Sequence, residues 1–152
     1  MVHAPVSRFA SFVGKPFLDL MLHGTLRTRV VLEHKGKVLM VRGRLGTQRW
    51  SLPGGGVKKN EDPVDGAIRE VGEEVSVYLS PDRLKKFSEG KNTRTKRLYF
   101  NYVAYAAKIE SSAVQIDRRE ILEAEWFSLD KLPTNTSDMI KTILQDYQKY
   151  SA

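Results

Sequence analysis

Apolar and polar positions alternate through "TLRTRVVLEH", residues 25–34, and the shorter run "KVLMVRG", residues 37–43, has the same strand character. With His34-Lys35-Gly36-Lys37 as the turn, the two runs predict a β-hairpin. "RLGTQ" reads as loop, and Trp50 to Leu52 as a short strand running into three consecutive glycines. The period then changes. In "DPVDGAIREVGEEV", residues 62–75, Val64, Ala67, Ile68, Val71 and Val75 fall on one side of a helix at roughly 100° per residue. Asp62 is the expected N-cap, with Pro63 at the first helical position. "TKRLYFNYVAYAAKI", residues 95–109, is rich in aromatic and β-branched residues and reads as a long strand. "LEAEWFSL", residues 122–129, reads as another, followed by a turn around Leu132-Pro133. "SDMIKTILQDYQKY" closes the chain as an amphipathic helix with Ser137 at its N-cap. Strands and helices alternating irregularly predict an α/β fold, a mixed sheet with helices on both faces.

The helix at 62–75 is also where the charge is anomalous. Glu70, Glu73 and Glu74 fall at i, i+3 and i+4, nearly opposite the apolar stripe, and so should face solvent together. Exposed like charges at this spacing repel by roughly a few tenths of a kcal/mol per pair. They also sit toward the negative end of the helix dipole, and Gly72 costs about 1 kcal/mol relative to alanine. Packing requires none of these penalties. A divalent cation would relieve the repulsion, and hard oxygen ligands suit Mg²⁺ or Mn²⁺. Gly54, Gly55 and Gly56 would let the backbone approach such a ligand closely and turn carbonyls or amides toward it.

Charge along the rest of the chain supports this picture. Residues 1–60 carry a balance of +9, residues 61–80 a balance of −5 and residues 81–152 a balance of +3, for a net +7. An acidic island in a basic body suits a metal-dependent site that receives a polyanion. At 152 residues the chain accommodates one domain with a full core. It has no cysteine, which excludes a disulfide framework or zinc ribbon and fits a cytoplasmic setting. The segment "APVSRFASFVGKPFLDLMLHG" is apolar, but Arg8, Lys15 and Asp19 interrupt it, so it is too charged for a membrane span. It also lacks the order of a signal peptide. Phe17, Leu20 and Met21 after Pro16 predict a short amphipathic helix, so residues 1–24 form an extension packed on a domain at 25–152.

The stretch from Gly55 to Val77 resembles the Nudix box: glycine, five residues, glutamate, seven residues, then Arg-Glu-aliphatic-any-Glu-Glu-any-Gly-aliphatic. Gly55, Glu61, Arg69, Glu70, Val71, Glu73, Glu74 and Val77 match in register, and Ser76 alone departs, standing at the family's glycine. "WSLPGG" and "EAEWFSLDKLP" extend the resemblance over about residues 27–133. It implies an α/β/α sandwich with a loop–helix–loop motif, and hydrolysis of a nucleoside diphosphate linked to another group with Mg²⁺ or Mn²⁺. By position, Glu70, Glu73 and Glu74 would be metal ligands, joined by a carbonyl of Gly54 or Gly55. Arg69 and Glu61 would form a supporting ion pair. A glutamate six residues before the tryptophan of the "EWF" strand, here Glu120, would join the metal site. Either Glu70 or Glu120 would be the general base.

Around that site, Arg42, Arg44 and Arg49 are read on the loop entering the glycines, where they could meet phosphates. Tyr99, Tyr102 and Tyr105 lie near a base-stacking position, with strand core as the competing reading. "KNTRTKR", residues 91–97, reads as a solvated hairpin loop, with a nucleotide or an RNA 5′ end as the alternative contact. His3, His23 and His34 have no ligand spacing. Ser76 is expected to end its helix without a left-handed cap. The expected substrate is a small nucleotide, a nucleoside triphosphate (oxidised or not) or a nucleotide sugar such as ADP-ribose. An RNA 5′-pyrophosphohydrolase and a non-catalytic nucleotide-binding module remain as alternatives, and the oligomeric state, homodimer included, is open.

Overall fold

Five strands follow one another across a mixed sheet, and a sixth joins it from the side, in a computed structural model that describes residues 23–93 and 99–152. The strands are β1 (Leu26–His34), β2 (Lys37–Gly43), β3 (Trp50–Ser51), β4 (Lys85–Thr93), β5 (Tyr99–Lys108) and β6 (Ile121–Ser128). The order is β3-β2-β1-β5-β4, with β6 pairing β2. β1 and β5 run parallel from Leu26↔Asn101 to Glu33↔Lys108, and the other pairings are antiparallel. The predicted hairpin forms, but β1 and β2 pair only at its base, Glu33↔Val38 and His34↔Lys37. Beyond that they diverge, and the chain from Trp50 onward fills the gap. Val30 donates to the Pro53 carbonyl, Thr28 to that of Gly55, and Val57 to that of Leu26, at 2.8, 2.8 and 2.9 Å. The glycine run is thereby stitched along β1.

Two helices cover opposite faces, as the sequence pattern predicts: α1 (Pro63–Val75) and α2 (Asp138–Ser151). Alternation along β1 divides the core. Val30 and Leu32 pack with Ala67, Val71 and Val75 of α1, while Val31 packs with Ile140, Ile143 and Leu144 of α2. Each buried Val, Leu or Ile contributes roughly 1.5–3 kcal/mol relative to an exposed one, so both helices are held mainly by these stripes. Asp62 caps α1 by accepting from the Val64 N–H at 2.8 Å, with Pro63 next in line.

Two expectations change. Residues 85–93 form an edge strand that its lysine-rich sequence conceals. It carries a bulge between Lys86 and Ser88, and Phe87 packs on Tyr147 at 5.5 Å. Lys91 to Thr93 of the basic run therefore belong to a strand, and its remainder lies outside the described residues. Ser76 does adopt left-handed angles, φ 56° and ψ 36°, with its N–H on the Gly72 carbonyl at 3.1 Å. The turn into Val77, whose side chain packs on the α1 core, requires that reversal even without glycine. The expected N-terminal helix lies outside the described residues. Among the described residues, no helix is long and apolar enough to cross a membrane.

Candidate active site

Gly54 and Gly55 stand where a Cβ would meet occupied space. Gly54 has φ +142°, and a Cβ there would collide with the carbonyl of Thr28. A Cβ on Gly55 would collide with the Glu70 carboxylate. At Gly54 the chain can therefore pass β1 only as bare backbone, while at Gly55 a side chain would have to displace the Glu70 carboxylate. Thr28, fully buried, straps the turn to β1 through its hydroxyl, 3.4 Å from both the amide and the carbonyl of Gly55.

This turn corrects the expected exposure of the carboxylates. Only Glu73, with a half-exposed side chain, faces solvent. Glu70 lies against Gly55, and Glu74 is buried beneath the turn, accepting from the Gly54 N–H at 3.0 Å. The helical wheel places these three opposite the apolar stripe, but that side of α1 is roofed by residues 53–57. Burial is the main force raising the Glu74 pKa, to about 7, with the Gly54 amide and Arg29 opposing it and the charges of Glu70 and Glu120 adding to it.

Arg69 organises the loop before the helix. Its Nε and Nη2 donate to the two oxygens of Glu61 at 2.7 and 3.0 Å, and Nη2 also reaches the Gly56 carbonyl at 2.9 Å. Nη1 reaches Glu70 at 3.0 Å and Glu73 at 3.3 Å. Glu61 in turn accepts from the Lys58 N–H at 2.8 Å. The Arg69 hydrogen bonds, then that amide, hold the Glu61 carboxyl down at about 2, and the Glu61 contact keeps Arg69 charged. Residues 56–61 are thus clamped to α1 from one guanidinium.

Beside Glu74 opens a cleft of about 580 Å³, bounded by β1, the 43–49 loop, Trp50 and the start of α2. Arg49 lines it, as the sequence suggests, and Gly54 does too. Arg42 and Arg44 do not. Arg42 is on β2, not the loop, and is drawn 3.0 Å from Glu123 across the β2–β6 pairing. Arg44 is exposed, with its Nε on the Arg118 carbonyl at 2.9 Å. Tyr99 is capped by the Lys91 ammonium at 3.6 Å, away from the cleft lining, and Tyr102 and Tyr105 are core. Glu120 is on the exposed turn before β6, its backbone carbonyl accepting from the Arg44 N–H at 2.8 Å.

Two residues that the sequence pattern did not single out face this cleft, Arg27 and Arg29. They alternate along β1 with core-facing Thr28, Val30 and Leu32, and that alternation was the available signal. Burial, then repulsion from Arg27, lowers the Arg29 pKa to about 10, with Glu74 and Glu70 resisting.

Among the described residues, no three or more His, Cys or acidic side chains already converge on one point. Glu70 and Glu73 are turned toward Arg69 and Glu74 toward the Gly54 amide. The donor set is nonetheless suited to a hard divalent cation: adjacent carboxylates, one of them buried, with a pKa raised mainly by that burial and only partly offset by Arg29. Of the two candidate carbonyls, that of Gly55 already accepts the Thr28 amide and hydroxyl, which leaves Gly54 for a metal.

Comparison with known proteins agrees with this architecture. The model of the NUDIX domain matches residues 25–147. An m7GpppN-mRNA hydrolase, dcap-2, of Caenorhabditis elegans is 34% identical over 105 residues, 68% of this chain and 13% of that protein. Diphosphoinositol polyphosphate phosphohydrolase 3-alpha of Mus musculus is 32% identical over 100 residues, 64% of this chain and 58% of its own length. The chain thus spans only part of these relatives. Among solved structures, a MutT NUDIX hydrolase from Burkholderia pseudomallei superposes with a TM-score of 0.74 at 20% identity, covering 82% of this chain and 98% of that one. A C. elegans Ap4A hydrolase gives 0.69 at 18%, covering 84% and 90%. With the family model matched from β1 into α2 and the box residues assembled around one glycine turn, the chain belongs to the Nudix hydrolase family.

Proposed function

We propose that this protein hydrolyses the diphosphate linkage of a small nucleoside diphosphate derivative, with a divalent cation, Mg²⁺ or Mn²⁺, held by Glu70, Glu73, Glu74 and the Gly54 carbonyl. The observation that carries the reading is Glu74: a carboxylate buried at the wall of a cationic cleft, 3.0 Å from the Gly54 amide and with Glu70 beside it against the same glycine turn. An isolated buried carboxylate stays ionised only with a positive partner. The metal would neutralise bridge charge and lower the pKa of a bound water.

The chain's own groups supply the rest. Glu70 is assigned as general base in preference to Glu120, because it contacts the glycine turn while Glu120 stands on an exposed turn. Arg69 keeps Glu70 oriented through its 3.0 Å contact. Arg49 lines the cleft, where its guanidinium can donate to a substrate phosphate. Action on an RNA 5′ end is the second reading, favoured by the similarity to the mRNA hydrolase. A panel of dNTPs, nucleotide sugars, dinucleoside polyphosphates and 5′-triphosphate RNA with Mg²⁺, scored for both products, tests both. The small-nucleotide reading expects every RNA efficiency to fall below the best small nucleotide. RNA exceeding all of them would reverse the order, and no hydrolysis of any compound would refute the enzyme.

A further inference from the structure

Arg27 and Arg29 are the largest charge in the cleft that the proposed chemistry does not use. Both extend from β1 into the cleft, and neither is ion-paired among the described residues. Arg29 donates through Nη1 to the Thr28 carbonyl at 2.7 Å, but its buried Nε has no hydrogen-bond partner. The guanidinium of Arg27 lies 5.9 Å from the Phe100 ring centre, a contact that orients it without neutralising it. The acidic groups whose charge offsets them are Glu70 and Glu74. Those are the carboxylates a metal would claim. In the metal-loaded protein the two partly buried guanidinium groups therefore lose their counter-charge, which is unfavourable until another anion arrives.

The aromatic walls do not compete for that role. Phe100 is under Arg27, and Trp50 is packed edge-on against Phe127 at 5.0 Å, both rings almost wholly buried. The cleft interior is suited to charge more than to a stacked base.

We propose that Arg27 and Arg29 form a phosphate subsite, and that the substrate carries at least one phosphate group beyond the hydrolysed diphosphate bridge. This rests on the proposed diphosphate chemistry at Glu70 and Glu74. It selects polyphosphorylated compounds over nucleotide sugars, whose two phosphates are both consumed by the bridge. Arg29 holds that extra phosphate through Nη2, the guanidinium nitrogen that the Thr28 contact leaves free and that is not buried, and Arg27 closes on it from one pleat further along the strand.

Calorimetric titration of the Ca²⁺-loaded protein with inorganic tripolyphosphate and with pyrophosphate tests the subsite without turnover. Tripolyphosphate should bind at least about tenfold tighter than pyrophosphate. Arg29→Gln and Arg27→Gln should each erase most of that ratio and leave pyrophosphate affinity within about threefold. Arg29→Lys, which keeps the charge and loses the fork, should retain part of it, and thermal melts confirm that each variant is folded. Equal affinity for the two anions in the native chain, or an unchanged ratio in both glutamine variants, would overturn the subsite. If the ratio holds and responds to Arg29→Gln while no compound in the panel is hydrolysed, the subsite stands and the enzyme reading falls. Hydrolysis with an unresponsive ratio leaves the enzyme standing and removes the subsite.

Discussion

The backbone amide of Gly54 donates to the carboxylate of Glu74 at 3.0 Å, joining the glycine turn to a helix residue twenty positions later. Burial of that carboxylate, only partly offset by the bond, sets a pH dependence. The folded pKa of Glu74 is raised to about 7, above its ordinary 4.5, so between those values the native state holds a proton that the unfolded chain has released. The associated stability is complete below about pH 4.5 and lost as pH rises through about 7. Chemical denaturation of the metal-free protein should show a decline of about 1–3 kcal/mol over that range. Glu74→Gln should remove this decline, and so should saturating Mg²⁺. A native chain with no loss of stability between these pH values would contradict the burial of an uncompensated Glu74.

Arg69 has the opposite sign of linkage through its partner. Glu61 is held down at about 2, so its contribution is present above the ordinary carboxylate range and fades as pH falls toward 2. Arg69→Gln should lower the melting temperature near neutral pH and flatten the acid limb of the stability profile. Turnover should fall as well, because residues 56–61 lose their clamp. Melting curves across pH 2–7 for both proteins check this, and parallel acid limbs would show that the fork does not act on folding.

Gly54 and Gly55 should separate stability from chemistry. Alanine at Gly54 meets fixed backbone at φ +142°, and we expect a loss of at least about 2 kcal/mol. Alanine at Gly55 meets only the Glu70 side chain, which can turn aside, so the fold should lose less while turnover drops at least about tenfold. Urea melts and turnover on one substrate distinguish the two. Equal stability losses would mean that Glu70 cannot move.

Ser76 sits at φ 56°, where glycine is free of the roughly 1 kcal/mol penalty that other residues carry. Ser76→Gly should therefore stabilise the protein by up to about 1 kcal/mol with turnover unchanged. A destabilised variant would show that the serine side chain contributes a contact that the left-handed angle conceals.

The layout of the sheet was legible where burial is one-sided. β1, β2, β5 and β6, and both helices, follow from their hydrophobic periods. β4 was not, because an edge strand reading "KKFSEGKNT" has little apolar surface to bury and presents as loop. The site divides similarly. Glu61, Arg69 and the glutamates stand out by spacing within one segment. The burial of Glu74 does not, because it depends on residues 53–57 crossing β1, a tertiary contact that a helical wheel cannot contain. Arg27 and Arg29 were visible as alternating arginines, yet only the 43–49 loop and the start of α2, distant in sequence, make their side of the strand the lining of a cleft. Arg42 failed as a cleft residue because it is held within β2, short of the loop, and Glu123 faces it across the β2–β6 pairing.

The central claim is that Glu70, Glu73 and Glu74 are carboxylates gathered to hold a catalytic cation. Its most direct test is the Mg²⁺ dependence of turnover for the native protein, Glu73→Gln and Glu74→Gln, on the best substrate of the panel. Both variants should lose at least about tenfold in turnover, roughly 1.4 kcal/mol of transition-state stabilisation, and need more Mg²⁺ to reach half their maximum. Both should remain folded, since the stripe of Ala67, Val71 and Val75 is untouched. Full turnover with an unchanged Mg²⁺ response in both variants would contradict the account and leave the three glutamates as a charged flank of α1.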